Sequence, residues 1–254
     1  ASGSSGNCAL VSDGETHLLL DAGISCRRIC AALAGLDLPP EALAGVLITH
    51  EHTDHISGLA TLHKRFRLPV YTSPGTARQL CYRIAALEDV VRPCPPGESF
   101  TVGGLDVETF PISHDAAEPM GFAVSSGTRK AALITDLGVV TEAVRRGMDG
   151  AGLVLVEANH DEDWVRSGPY PYYLKERILG RKGHLSNEAG GALALSAVEG
   201  GAHTVVLAHL SRENNTPQRA LTAVSRVLCS AGAQEAAPRL AVAPRDQTGP
   251  VYTA

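Results

Sequence analysis

The chain has 254 residues, 44% of them hydrophobic, and a formal net charge of −5. That length and apolar content suit one globular domain with a buried core, expected to span residues 1–254. The acidic balance excludes a protein whose whole surface attracts polyanions. No apolar stretch approaches the ~20 residues that cross a bilayer, and no basic-then-apolar leader is present, so the cytoplasm is the expected compartment.

The first feature in chain order is Ser2-Gly3-Ser4-Ser5-Gly6-Asn7, small residues whose backbone amides allow close approach of a phosphate. Leu18-Leu19-Leu20 is strand-like and ends in Asp21. Cys26 and Cys30 are four apart and would share a helix face. The six cysteines nevertheless form no C-x-x-C pair and read as reduced, largely buried thiols. Val46-Leu47-Ile48-Thr49 then runs into His50-Glu51-His52-Thr53-Asp54-His55. Crowded imidazoles and a carboxylate at a strand end are costly to desolvate unless a cation collects them. Such nitrogen and oxygen donors suit zinc, with manganese or iron next.

Further along, Pro93 to Gly97 reads as a rigid turn, and Phe110-Pro111-Ile112-Ser113 leads to His114. Leu133-Ile134-Thr135 ends in Asp136. Leu153 to Val156 is apolar at successive positions, as in strands covered on both faces, and leads through Glu157 to His160. His160 reads equally well as a neighbour of the metals or as a structural histidine. The segment from Trp164 to Lys182 interleaves Tyr170, Tyr172 and Tyr173 with Arg166, Lys175, Arg177, Arg181 and Lys182, a composition on which a single strand could stack and pair. Arg27-Arg28 and Lys64-Arg65-Arg67 are further basic candidates. A helix is predicted from Asn187 to Glu199 with Ser186 as N-cap, and Val205 to Ala208 hands over to His209. Asn214 and Asn215 precede Thr216-Pro217, an N-cap followed by proline at the first helical position. His17, His63 and His203 have no partner pattern and read as surface or core residues.

Strand-like runs alternate with helical patterns, which predicts an α/β fold. Five short strands ending in Asp, H-x-H-x-D-H, His, Asp and His would converge if their C-terminal ends share one edge. From the residues alone, the reading is a metal-dependent hydrolase.

The order of these residues resembles the metallo-β-lactamase superfamily, from Ser2 to about residue 230. The resemblance implies a four-layer αββα sandwich, with two mixed sheets flanked by helices. It implies that His50, His52 and His114 bind one metal, that Asp54, His55 and His209 bind a second, and that Asp136 bridges them. Asp21 would orient the ligand loop from behind. Two divalent ions are implied, Zn²⁺ first and Mn²⁺ second. His52 stands where the flavodiiron branch places a glutamate, which argues against that branch.

Longer matches narrow the resemblance. The opening S-G-S-S-G-N, Pro111-Ile112-Ser113-His114-Asp115-Ala116, Gly183 to Gly191 and Ala208 to Pro217 resemble the YycJ/WalJ-type DNA exonucleases. In that branch the opening motif follows a first strand, so the first sheet is expected to lack its first member here. Ser4, Ser5, Asn7, Ser186 and Asn187 are the expected substrate contacts. In phosphodiesterase members a histidine at the place of His184 assists the scissile phosphate, so His184 is expected to protonate the leaving oxygen, with Asp54 or Asp136 accepting a proton from water. The expected activity is hydrolysis of nucleic acid bound locally at the metal cleft, with DNA ahead of RNA, most specifically a DNA 5′-exonuclease. The alternatives are a small-molecule hydrolase acting on a thioester, lactone or β-lactam, and a binding protein that has lost catalysis. The last is weakened because every ligand position carries a competent residue.

Overall fold

Two mixed sheets, each with helices on its outer face, make up the computed structural model, which describes residues 1–233 and 239–254. The first half builds β1 (Ala9–Ser12), β2 (His17–Leu20), α1 (Cys26–Ala34), β3 (Leu43–Leu47), α2 (Thr53–Ile56), α3 (Leu59–Phe66), β4 (Val70–Thr72), α4 (Pro74–Arg83) and β5 (Val91–Pro93). Its five strands form one sheet in sequence order, with β1 antiparallel to β2 and the remaining pairs parallel. Within the chain, β1 follows the Ser2–Asn7 run and opens this sheet.

The second half continues with β6 (Ser99–Val102), β7 (Leu105–Pro111), β8 (Met120–Ser126), β9 (Arg129–Ile134), α5 (Glu142–Met148) and β10 (Leu153–Glu157). There follow α6 (Glu162–Ser167), α7 (Tyr172–Leu179), α8 (Asn187–Glu199), β11 (Thr204–Ala208), α9 (Pro217–Ser230) and β12 (Arg239–Val242). Its seven strands run in the order β12-β11-β10-β9-β8-β7-β6. The pairs among β9 to β12 are parallel, and those from β9 to β6 are antiparallel.

Three apolar clusters account for the four layers. Leu18, Leu20 and Leu47 of the first sheet pack against Val107, Met120, Phe122 and Leu133 of the second. On the outer side of the first sheet, Leu19, Val46 and Ile48 meet Ile29 and Leu33 of α1, Leu59 and Leu62 of α3, and Leu80 of α4. On the outer side of the second, Val154, Val156, Val205 and Leu207 meet Val144, Leu193, Ala197 and Val224 from α5, α8 and α9. β11 is buried at every position and β10 at all but one, as their unbroken apolar runs predict for strands covered on both faces.

Register places the strand ends. Leu20 pairs with Leu47, Ile134 with Val156, and Glu157 with Ala208, so the residues following these strands emerge at common edges. The predicted caps are present: the Ser186 hydroxyl accepts from the Ala189 N–H, and Thr216 accepts from Arg219 with Pro217 at the first helical position. All six cysteines are free, with Cys26 and Cys30 Sγ atoms 3.9 Å apart. Among the described residues, no helix is long and apolar enough to cross a membrane.

Candidate metal centre

The local backbone at the strand ends is built to turn side chains inward. Asp21, Asp136 and His209 each follow a strand and each adopt a left-handed conformation, with φ of 57°, 62° and 56°. Non-glycine residues rarely occupy this region, and single residues held there cluster at functional sites. Gly23 meets a different demand. A Cβ there would lie 1.6 Å from the Asp54 carbonyl oxygen, so only glycine lets this loop pass against α2.

Side chains from both sheets converge. The His52 Nδ1 atom lies 3.0 Å from His50 Nε2 and 3.3 Å from His114 Nε2, forming one trio of ring nitrogens. His209 Nε2 lies 3.4 Å from Asp54 Oδ2, and His55 Nε2 lies 3.6 Å from the same oxygen, forming a second. Asp136 sits between them, Oδ2 at 3.3 Å from His55 Nε2 and Oδ1 at 3.3 Å from His209 Nε2 and 3.8 Å from His114 Nε2. Each trio brings its donor atoms within 4.8 Å of one another.

The far nitrogen of nearly every ring is held. His50 Nδ1 meets the Thr49 hydroxyl at 3.0 Å, His55 Nδ1 meets Asp21 Oδ2 at 2.8 Å, and His114 Nδ1 meets the Gly183 carbonyl at 3.1 Å. Asp21 is anchored in turn by the Thr49 N–H and hydroxyl. Partners on the second nitrogen fix ring orientation and leave the first free for a cation. The Asp136 Oδ2 atom is buried without a hydrogen-bond partner, which a bridging cation would resolve. The donor set fits two divalent ions.

Glu157 is the residue sequence reasoning missed. It is fully buried, and its Oε1 lies 3.0 Å from His209 Nδ1 and 2.8 Å from His184 Nδ1. Its Oε2 accepts from the N–H groups of Leu137 and Leu185. Although Asp136, Glu157, His184 and His209 are close enough to form another metal-type cluster, Glu157 already uses both oxygens on four donors. We therefore read it as the carboxylate that orients two imidazoles. The strand-then-polar format of Leu153 to Glu157 carries the signal, as it does for His160 three residues on. That histidine is buried with Nδ1 unpartnered, and burial pushes it down to about 4, so it is neutral.

Electrostatics follow from the packing. Burial pushes His50 well below its ordinary value, with His55 adding to the effect. Burial opposes protonation of His55 and His209, but carboxylates outweigh it. Asp136 and Asp21 hold His55 well above its ordinary value, and Asp136, Asp54 and Glu157 raise His209 to about 10. Burial also works against the Glu157 anion, yet His184 and His209 bring it down to about 2. Stability from that carboxylate is therefore present above about pH 4.5 and is lost as pH falls toward 2. Without an ion the cluster thus carries protons that an ion must displace. At pH 7, uptake of Zn²⁺ should release protons and affinity should rise with pH. Calorimetry in two buffers of different ionisation enthalpy reads this, and identical heats would contradict it.

Replacing Glu157 with Gln would set an amide N–H₂ against either the backbone donors or the imidazoles. We expect metal affinity and turnover to fall about 10–100-fold, the usual cost of a lost partner behind a ligand. Titration with a chelating indicator measures the first, and an unchanged affinity would show that His209 needs no such support.

The other expected contacts separate by exposure. Ser4 and Ser5 are exposed and, with Gly23, Thr53, Asp54 and Ser57, line a pocket of about 230 Å³ beside Asp54. Asn7 is buried, and its side-chain amide lies against Asp54 and His55, which makes it a support for those two side chains. Asn187 is 1% exposed and paired with Asn215, out of reach of a substrate, and Ser186 is engaged in capping α8. His17 and His203 are bonded to Ser12 and Thr204, away from the cluster, and His63 is buried in α3. One face of Trp164 is covered by Arg219, whose guanidinium carbon is 4.0 Å from the ring centroid, and the ring is half-buried.

Residues 16–210 match the family model for the beta-lactamase superfamily domain. The chain is 38% identical over 236 residues to the exodeoxyribonuclease YycJ of Bacillus anthracis, covering 90% of this chain and 87% of that protein. It is 36% identical over 223 residues to the exodeoxyribonuclease WalJ of Streptococcus pneumoniae, covering 87% and 83%. Among solved structures, the metallo-beta-lactamase fold protein YhfI of Bacillus subtilis superposes with a TM-score of 0.74 at 19% identity, over 100% of this chain and 93% of that one.

Proposed function

This chain belongs to the metallo-β-lactamase superfamily, in its YycJ/WalJ exodeoxyribonuclease branch, and from that premise we propose a two-metal phosphodiesterase that removes nucleotides from the 5′ end of DNA. The observation that carries the reading is His184. It stands 3.7 Å from Asp136 Oδ1, is partly exposed, and gives its Nδ1 to Glu157. Both ligand trios are complete without it. An oriented imidazole beside the two donor trios but outside them would serve as a proton donor for an alkoxide, which phosphodiester cleavage generates.

The ions, Zn²⁺ first and Mn²⁺ second, would bind at His50, His52 and His114 and at Asp54, His55 and His209, with Asp136 common to both. When bound they supply Lewis acidity toward a phosphate oxygen and a water of lowered pKa. The chain's own residues do the rest. Glu157 keeps the proton on His184 Nδ1 and turns Nε2 toward the leaving sugar oxygen. Asp54, with its side chain 25% exposed, is the carboxylate open to the cleft and takes the proton from water. Ser4 and Ser5, beside Asp54, receive a phosphate through hydroxyls and backbone amides. We place this activity in the cytoplasm, in keeping with six unpaired thiols.

The test uses metal-stripped protein reloaded with Zn²⁺ or Mn²⁺ and DNA labelled at one end or the other. Mononucleotide release from the 5′ end, abolished by chelator, is the expected result. Hydrolysis of a thioester or lactam with DNA left intact would overturn it.

A further inference from the structure

The segment between β10 and α8 contains more aromatic surface than its own packing uses. From Arg166 to Lys182 it carries five cations and one acid in a chain of net charge −5. Several of these groups are already engaged. Arg166 pairs with Glu162, Lys175 donates to the Arg166 carbonyl, and Arg177 Nε donates to Asp115 at 2.6 Å. Arg181 and Lys182 are exposed and have no side-chain partner among the described residues. On the aromatic side Trp164 is half-buried with one face under Arg219, whereas Tyr172 and Tyr173 are 76% and 73% exposed. Two adjacent rings left in water on a short helix that fully buries none of its residues have no packing role.

The position of α7 gives these rings a purpose. Its C-terminal half is fixed to the metal centre. Arg177 pairs with Asp115, whose Oδ1 is 3.4 Å from His114 Nε2, the Ser113 hydroxyl donates to the Arg181 carbonyl, and the His184 N–H donates to the Ile178 carbonyl. At a rise of 1.5 Å per residue, Tyr172 lies roughly 7 Å along the helix axis from Arg177, about the length of two stacked nucleotides. We propose that α7 and the Arg181-Lys182 pair form a platform for single-stranded DNA: Tyr172 and Tyr173 stack on bases a few nucleotides from the cleaved bond, and the two cations hold the intervening phosphates. The inference rests on the exonuclease reading and adds a preference for frayed or single-stranded ends. It also supplies the local positive charge that the whole molecule lacks.

The test separates bases from backbone. Anisotropy of a labelled twelve-residue oligothymidylate, at low salt without added metal, is compared with that of an equally long abasic strand. Replacing both tyrosines (Y172A/Y173A) should weaken oligothymidylate binding at least about tenfold, given the usual contribution of one base–aromatic stack. It should leave the abasic strand unaffected, and Y172F/Y173F should bind as the wild type. In Zn²⁺-loaded protein the same double alanine variant should raise KM for single-stranded DNA and leave turnover of bis(p-nitrophenyl) phosphate unchanged. Equal binding of oligothymidylate by the wild type and the alanine variant, or equal loss on the abasic strand, overturns the platform. Wild-type protein that binds the oligothymidylate but degrades no DNA overturns the exonuclease reading instead, and the binding comparison still decides the platform.

Discussion

Changing Asp136 to Asn should remove at least one bound ion and lower turnover by at least ~1,000-fold, equivalent to about 4 kcal/mol of lost metal-centred stabilisation. Asparagine tolerates the left-handed backbone at this position, so the change isolates the carboxylate charge from the fold. Asp136 is the group facing both trios, through His55 and His209 on one side and His114 on the other, and an amide has one oxygen to offer where two are needed. In the ion-free protein the same change removes the main counter-charge of His55 and His209, both buried, so its melting temperature should also fall at neutral pH. Elemental analysis and turnover of bis(p-nitrophenyl) phosphate provide the measurements. Full metal content with turnover within tenfold of wild type would refute the bridging role.

The second large effect is expected at His184, whose replacement by Ala should leave metal content intact while DNA cleavage falls about 10²–10⁴-fold, the range for loss of a positioned acid. The leaving group supplies the control. A sugar alkoxide needs a proton, whereas p-nitrophenolate departs without one. Turnover of bis(p-nitrophenyl) phosphate by His184→Ala should therefore drop far less than cleavage of DNA. Equal losses on both substrates would assign His184 to holding the phosphate rather than to proton transfer.

Much of this centre could be read directly in the chain. His50, His52, Asp54 and His55 sit together because one strand end delivers them, and His114, Asp136 and His209 each follow their own apolar run. Strand ends are where side chains leave the sheet, so the format carries spatial information. Glu157 escaped because it is the last residue of β10 itself, and nothing in the sequence says which two imidazoles its burial will place against it. Asn187 misled for a related reason. A polar residue in the first turn of a helix beside His184 looks available, yet Asn215, 28 positions later, fills its hydrogen bonds. The stretch around Trp164 was legible as composition only. How much of the Trp164 ring is free depends on Arg219, on a helix more than fifty residues away in sequence.

The distribution of the donors over the two sheets has a consequence for how the molecule comes apart. Asp21 and the His50–His55 loop leave one sheet, whereas His114, Asp136 and His209 leave the other, so bound ions would act as rivets through the seam. Every carboxylate and imidazole drawn to an ion would then tie the N-terminal half to the C-terminal half. Chelation should loosen that joint before either half melts. Deuterium uptake on stripping should therefore concentrate at Leu18, Leu47, Met120 and Phe122, where the sheets meet, and leave the outer helices protected.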